Sequence, residues 1–214
     1  MLFPHVKTRR TALCPPAVEP GHSVYGLLQE AGVGDLPAPE VFTSLHASDT
    51  VAEFLVQRCD TGRTVGYASL HHLDQAAQHV QASVVGGPAS DLDPPAAKAI
   101  NGLLTEATML IVNYAFAMWN LRKIYFWTVG VSLEAHRATL QAVPEATLSD
   151  FVHQQGQLLD VHISALYRHK WEKDGPTLLR RLVLDPAARR RVEELEPFGQ
   201  PVALSGTSEG NASS

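Results

Sequence analysis

The sequence predicts an α/β fold in which a mixed β-sheet is flanked by helices. Three observations point there. Val80, Ala82 and Val84 share one face of a short strand, residues 103–120 carry apolar side chains at helical spacing, and Lys123 to Val129 (KIYFWTV) is aromatic and β-branched. A strand, a helix and a strand in succession imply a crossover and a parallel pair. Around that unit, residues 51–58 with 63–71, and 147–153 with 157–169, read as two hairpins. The 214 residues are 45% hydrophobic, enough for one main core.

Taken in order, residues 5–14 (HVKTRRTALC) suit a first strand ended by Pro15 and Pro16. A short helix fits Ser23 to Glu30, with Ser23 as N-cap and Val24, Leu27 and Leu28 on one face. Gly32, Gly34, Pro37 and Pro39 mark a loop. Asp60-Thr61-Gly62-Arg63 supplies the turn of the first hairpin, and Gly66 inside its second strand suggests a bulge or a close backbone approach. Residues 86–101 hold Gly, Pro and Asp and read as a loop. In the helix that follows, Leu103, Ala107, Leu110, Ile111, Tyr114 and Met118 recur on one face, with Arg122 and Lys123 near its C-terminus. A second helix is expected from Ser132 to Ala142, a strand pair turning at Gly156, and a helix from Pro176 to Glu196. Residues 1–172 then form the main domain, 173–198 a helical extension and 199–214 a disordered tail.

Composition excludes several classes. Charged residues are 18% and the net charge is −5, so no basic face for nucleic acid is expected. Cys14 and Cys59 are too few for a disulfide framework and read as reduced thiols. No apolar run approaches the roughly 18 residues of a membrane span, and MLFPHVKTRR reverses the charge order of a secretory signal, so a cytoplasmic protein without a membrane partner is expected. The histidines lack metal-ligand spacing, and no metal is expected. Trp119, Trp127 and Trp171 read as packing residues, and Arg189 to Arg191 as a solvated helix face.

Four local motifs carry more. Gly102, Thr105-Glu106-Ala107, Tyr114-Ala115-Phe116 and Leu121-Arg122-Lys123-Ile124 follow one another, and Asp160 precedes HISALYRHKW. This pattern resembles the GNAT N-acetyltransferase superfamily, in its ribosomal-protein (RimJ/RimL-like) branch, over roughly residues 5–172. The resemblance implies a partly splayed sheet and acyl transfer from acetyl-CoA or another acyl-CoA to a small-molecule or peptide amine. It also implies a homodimer through sheet edges as one open arrangement.

The family's phosphate loop has the form Gln/Arg-x-x-Gly-x-Gly/Ala. Aligned here it is Ala99-Ile100-Asn101-Gly102-Leu103-Leu104, matching only at Gly102, with Lys98 adjacent. A helix N-terminus suits a pyrophosphate, so Lys98, Asn101, Gly102, Leu103 and Leu104 are the candidate cofactor residues, and Val84, Val85 and Gly86 are the expected carbonyl-polarising backbone. The altered loop leaves three readings open: retained acyl-CoA binding, a carrier-protein thioester as donor, and a catalytically silent GNAT-shaped binding or regulatory protein. No carboxylate lies on the expected strand, which leaves His79 as the base candidate there. Ser132, Glu134 and Tyr167 are the remaining catalytic candidates, and His71 and His72 the candidate acceptor residues.

Overall fold

A computed structural model of the protein describes residues 2–16, 24–26, 29, 39–40, 49–86, 94–129, 140–154 and 156–184. Its strands are β1 (Thr11–Cys14), β2 (Thr50–Arg58), β3 (Thr64–Asp74), β4 (His79–Gly86), β5 (Lys123–Val129), β6 (Val143–Gln154) and β7 (Gln157–Tyr167), with helices α1 (Pro94–Met118) and α2 (Arg168–Val183). The seven strands form one sheet in the order β1-β2-β3-β4-β5-β7-β6. All neighbours are antiparallel except β4 and β5, the parallel pair that the α1 crossover demands.

One face of the sheet packs on α1. Phe54 and Val56 of β2, Ala68 and Leu70 of β3, Val80 and Ala82 of β4, and Ile124 and Phe126 of β5 meet Ala107, Leu110 and Ile111 of α1 in a single core. These positions alternate along each strand, as a two-residue period requires. Gly66 is the close approach its sequence position suggests. A Cβ there would lie 2.5 Å from the Val85 carbonyl oxygen and 2.8 Å from Leu104 Cδ2.

Three sequence expectations are corrected. α1 begins at Pro94, nine residues before the expected start at Leu103, because Pro94 and Pro95 open a helix instead of a loop. Proline fits the first turn, where its missing N–H has no helical partner to lose. Met118 is 50% exposed, the last residue of α1, while Ala115 and Phe116 in the same turn stay in the core. The C-terminal helix begins at Arg168, not Pro176, and Trp171 and Leu179 belong to the main core. α2 therefore follows directly on β7 and runs unbroken through residue 172. Arg168 also closes α1: its guanidinium donates to the carbonyls of Phe116 (2.9 Å), Trp119 (2.7 Å) and Leu121 (2.6 Å). Residues 27–28, most of Ser132 to Ala142, and the tail beyond residue 184 lie outside the described residues.

β1 is tied to α1 by polar contacts. Glu106, buried in α1, accepts from Thr8 Oγ1 (2.5 Å), Arg10 Nε (2.7 Å) and Thr11 Oγ1 (3.2 Å). A buried carboxylate is tolerated only with such partners.

Candidate active site

The parallel ladder between β4 and β5 runs from His79↔Lys123 to Ala82↔Phe126 and then stops. β4 continues as Ser83–Gly86, paired only with β3, and β5 continues as Trp127–Val129, paired only with β7. The two strands therefore part. The β5-facing edge of Ser83–Gly86 has no strand partner among the described residues, so its backbone groups face the opening. Such an edge offers fixed N–H dipoles to a carbonyl oxygen, which is oxyanion-type stabilisation. Val84, Val85 and Gly86 run along it, alternate residues turning their backbone groups to it.

α1 crosses above this opening. Leu104 packs down onto the strands, and a Cβ on Gly86 would overlap Leu104 Cδ1 and lie 3.3 Å from its Cγ. The side chain thus rests on the sheet and closes the space between α1 and the end of β4. Asn101, Gly102, Leu103 and Leu104 stand well inside α1, so their N–H groups belong to the helical ladder. Gly102 does not open the helix, which corrects the expectation of an anion site there. Its Cβ position lies 3.5 Å from Arg10 Nη2. Lys98 is an exposed α1 residue.

On the sheet face away from α1 lies a groove of about 420 Å³ lined by His72, His79, Gln81, Tyr125, Trp127, Glu145, Ala146 and Ile163. Gln81 pairs with Tyr125 just before the strands part, and Trp127 follows the last paired residue of β5. The groove therefore leads to the opening. Trp127 is 42% exposed here, which corrects its reading as packing. His72 has φ 49 within an irregularity of the β3–β4 ladder, and its Nδ1 lies 3.5 Å from Asp49 Oδ2. That irregularity breaks strict alternation and turns His72 onto the groove. His71 is held by Ser69 Oγ (2.6 Å) and Thr50 Oγ1 (3.2 Å), so both ring nitrogens are engaged.

At the far end of the groove, Lys123 Nζ donates to Glu145 (2.8 and 3.0 Å) and Tyr167 Oη donates to the same carboxylate (2.6 Å). Burial acts to raise the Glu145 carboxyl, but the bonds from Lys123 and Tyr167 outweigh it and hold the group below its ordinary value. The bond to Glu145 pushes the Tyr167 phenol up. His79 stacks edge-on against Tyr125 at 5.3 Å. From His79 to Ser83, where the strands part, the strand covers roughly 13 Å at about 3.3 Å per residue. Tyr167 pairs with Lys123 at the same distant end. His79 and Tyr167 both flank Lys123, at the end of the parallel ladder away from the opening. Ser132 and Glu134 lie outside the described residues.

Sequence reading missed a carboxylate. Glu53 of β2 pairs with Ser69, and Ser69 with Ser83, which puts Glu53 level with the point of divergence on the groove face. It accepts from Tyr67 Oη at 2.9 Å. Burial and the Glu53 charge push the Tyr67 phenol well above its usual range. Alternation along VAEFLVQR gives the face of Glu53. Its level in the sheet depends on the register of two further strands.

The fold is that of the GNAT acetyltransferases. It matches a probable GNAT-family acetyltransferase of Chromobacterium violaceum at TM-score 0.54 and 19% identity, over 78% of this chain and 87% of that one. It matches a Vibrio cholerae spermidine N-acetyltransferase in complex with CoA and spermine at TM-score 0.56 and 15% identity, over 76% and 98%. A chimera of that spermidine enzyme gives TM-score 0.59 at 15% identity, over 77% and 99%. At these identities the likeness is one of fold. No family model and no curated protein matches the sequence. No described helix is long and apolar enough to cross a membrane.

Proposed function

We propose that the protein is an N-acyltransferase that moves an acyl group from a pantetheine thioester, as in acyl-CoA, to an amine. The observation that carries this reading is the parting of β4 and β5 after Ala82 and Phe126. That opening accepts an extended arm as a strand would be accepted, and its free backbone edge faces the thioester carbonyl.

The amine enters by the groove, over Tyr125 and Trp127, with Gln81 and His72 on its wall. Attack of the neutral amine nitrogen on the carbonyl carbon forms the C–N bond, and collapse of the tetrahedral oxyanion breaks the C–S bond. The amine proton passes through water to Glu53, which stands on the groove face two strands across from β4 and is held by Tyr67, and the leaving thiolate takes a proton from water to become the free thiol. The backbone of Val84–Gly86 stabilises the oxyanion. His79 contacts the remote part of the acceptor. The RimJ/RimL-like pattern of residues 102–129 belongs with this reading, and a peptide or small-molecule amine fits a groove of this size.

Release of thiol from acetyl-CoA, followed across a panel of amines, tests the proposal. Glu53→Gln is expected to lower kcat by about 10²–10⁴-fold with little change in KM. Trp127→Ala is expected to raise KM for the amine while donor binding stays intact. Absence of amine-dependent thiol release from every thioester offered would refute the enzyme reading and favour a silent binding protein.

A further inference from the structure

On the β1 side of α1, opposite the groove, two concavities share Arg10. One of about 160 Å³ is lined by Arg9, Arg10, Arg58, Asp60, Ala99 and Leu103. The other, of about 390 Å³, runs between α1 and α2. Its floor is Met109, Leu178 and Leu182, and its rims carry Arg10 and Arg181. Leu178 is 37% exposed. Arg10 is neutralised by buried Glu106, and Arg58 by Asp60 at 2.6 Å. Arg9 and Arg181 are exposed, and no carboxylate among the described residues forms an ion pair with either. Exposed Lys98 stands one turn before Gly102 on the same stripe of α1. An apolar trough with a cationic rim thus interrupts the surface of a chain whose net charge is −5.

The trough stands at the same end of the sheet as the opening. Arg58 pairs with Thr11 beside it, and Gly66 pairs with Gly86. Among the described residues, α1 stands between trough and opening, a helix roughly 10 Å across. The beginning of α1 is poor at holding a pyrophosphate. Pro94 and Pro95 lack N–H groups, which removes two of the roughly four donors of a helix N-terminus, and Leu104 fills the space over Gly86.

We infer that the trough docks an acidic, amphipathic helix of a carrier protein, which presents its acyl-thioester arm over α1 to the β4–β5 opening. This rests on the acyl-transfer reading and names its donor. Apolar residues of the partner helix sit on Met109, Leu178 and Leu182, and its carboxylates meet Arg9, Arg181 and Lys98. Docking by the protein surface replaces the grip on a nucleotide. The chemistry balances as above, with the carrier's thiol as the leaving group.

The test uses the full chain and a fluorescently labelled acidic acyl carrier protein bearing an acetylated phosphopantetheine arm, read by anisotropy. Acetyl-CoA and phosphatidylglycerol vesicles are titrated in parallel. Carrier binding that weakens with salt, and about tenfold in Arg9→Glu/Arg181→Glu, supports the inference. Leu178→Asp should weaken it as well, while acetyl-CoA affinity stays as in the parent. Carrier binding indifferent to these variants, no carrier binding, or variant-sensitive binding to vesicles in its place would overturn it. Docking without N-acyl product would sink the catalytic reading alone, and turnover of acetyl-CoA without carrier binding would sink the docking alone.

Discussion

The contact of Leu104 with Gly86 makes a quantitative prediction about the mouth of the opening. Placing a methyl group on Gly86 overlaps Leu104 Cδ1 and brings Cβ to 3.3 Å from Cγ, so Gly86→Ala must drive Leu104 from its rotamer. Overpacking of this kind costs about 1–3 kcal/mol. Leu104→Ala alone removes a half-buried side chain and is expected to cost about 1–3 kcal/mol, below a fully buried leucine. With Leu104 truncated, the offending carbons are gone, and Gly86→Ala should cost close to nothing. The double variant is then less destabilised than the sum of its parts by about 1–3 kcal/mol. Urea unfolding followed by circular dichroism measures all three, with an unchanged m value as the check on two-state behaviour. Gly66→Ala serves as the contrast. Its nearest neighbour is the Val85 carbonyl oxygen at 2.5 Å, with Leu104 Cδ2 at 2.8 Å, so truncating Leu104 relieves only part of the clash and the substitution stays destabilising in both backgrounds. An equal cost of Gly86→Ala with and without Leu104 would refute the view that this side chain seals the end of β4.

Two further outcomes concern the charged clusters. Glu106→Ala leaves buried Thr8 and Thr11 and exposed Arg10 without their acceptor and should cost about 1–3 kcal/mol, seen as a loss of thermal stability with protection of β1 amides from exchange lost first. The Glu145 carboxyl, depressed by Lys123 and Tyr167, contributes stability that is present above the ordinary carboxylate value of 4.5 and lost as pH falls through its lower folded value. Glu145→Gln should therefore lower stability at neutral pH, by about 3 kcal/mol if Lys123 is left buried, and flatten the acid limb of the pH–stability curve.

Much of the fold is written in local pattern. KIYFWTV gives β5 its bounds, Gly62 and Gly156 take the positive φ their turns require, and the helix-strand order from Val80 to Val129 dictates the parallel pair. These depend on periodicity and turn chemistry, which neighbouring residues alone decide. The start of α1 was misread because two consecutive prolines serve equally as a loop and as a first helical turn. Packing of Leu103 and Leu104 on the sheet settles which.

The site depended on distance in space. The sequence determined that a β4–α1–β5 unit exists. The tertiary structure alone decided that the strands part after Ala82, that Glu53 stands level with the opening, and that His79 and Tyr167 lie at the end of the ladder away from it. The reason is that strand register adds across a sheet. The face of Glu53 follows from the alternation of its own strand, but its height relative to Ser83 is set by two interstrand pairings, which no single segment encodes.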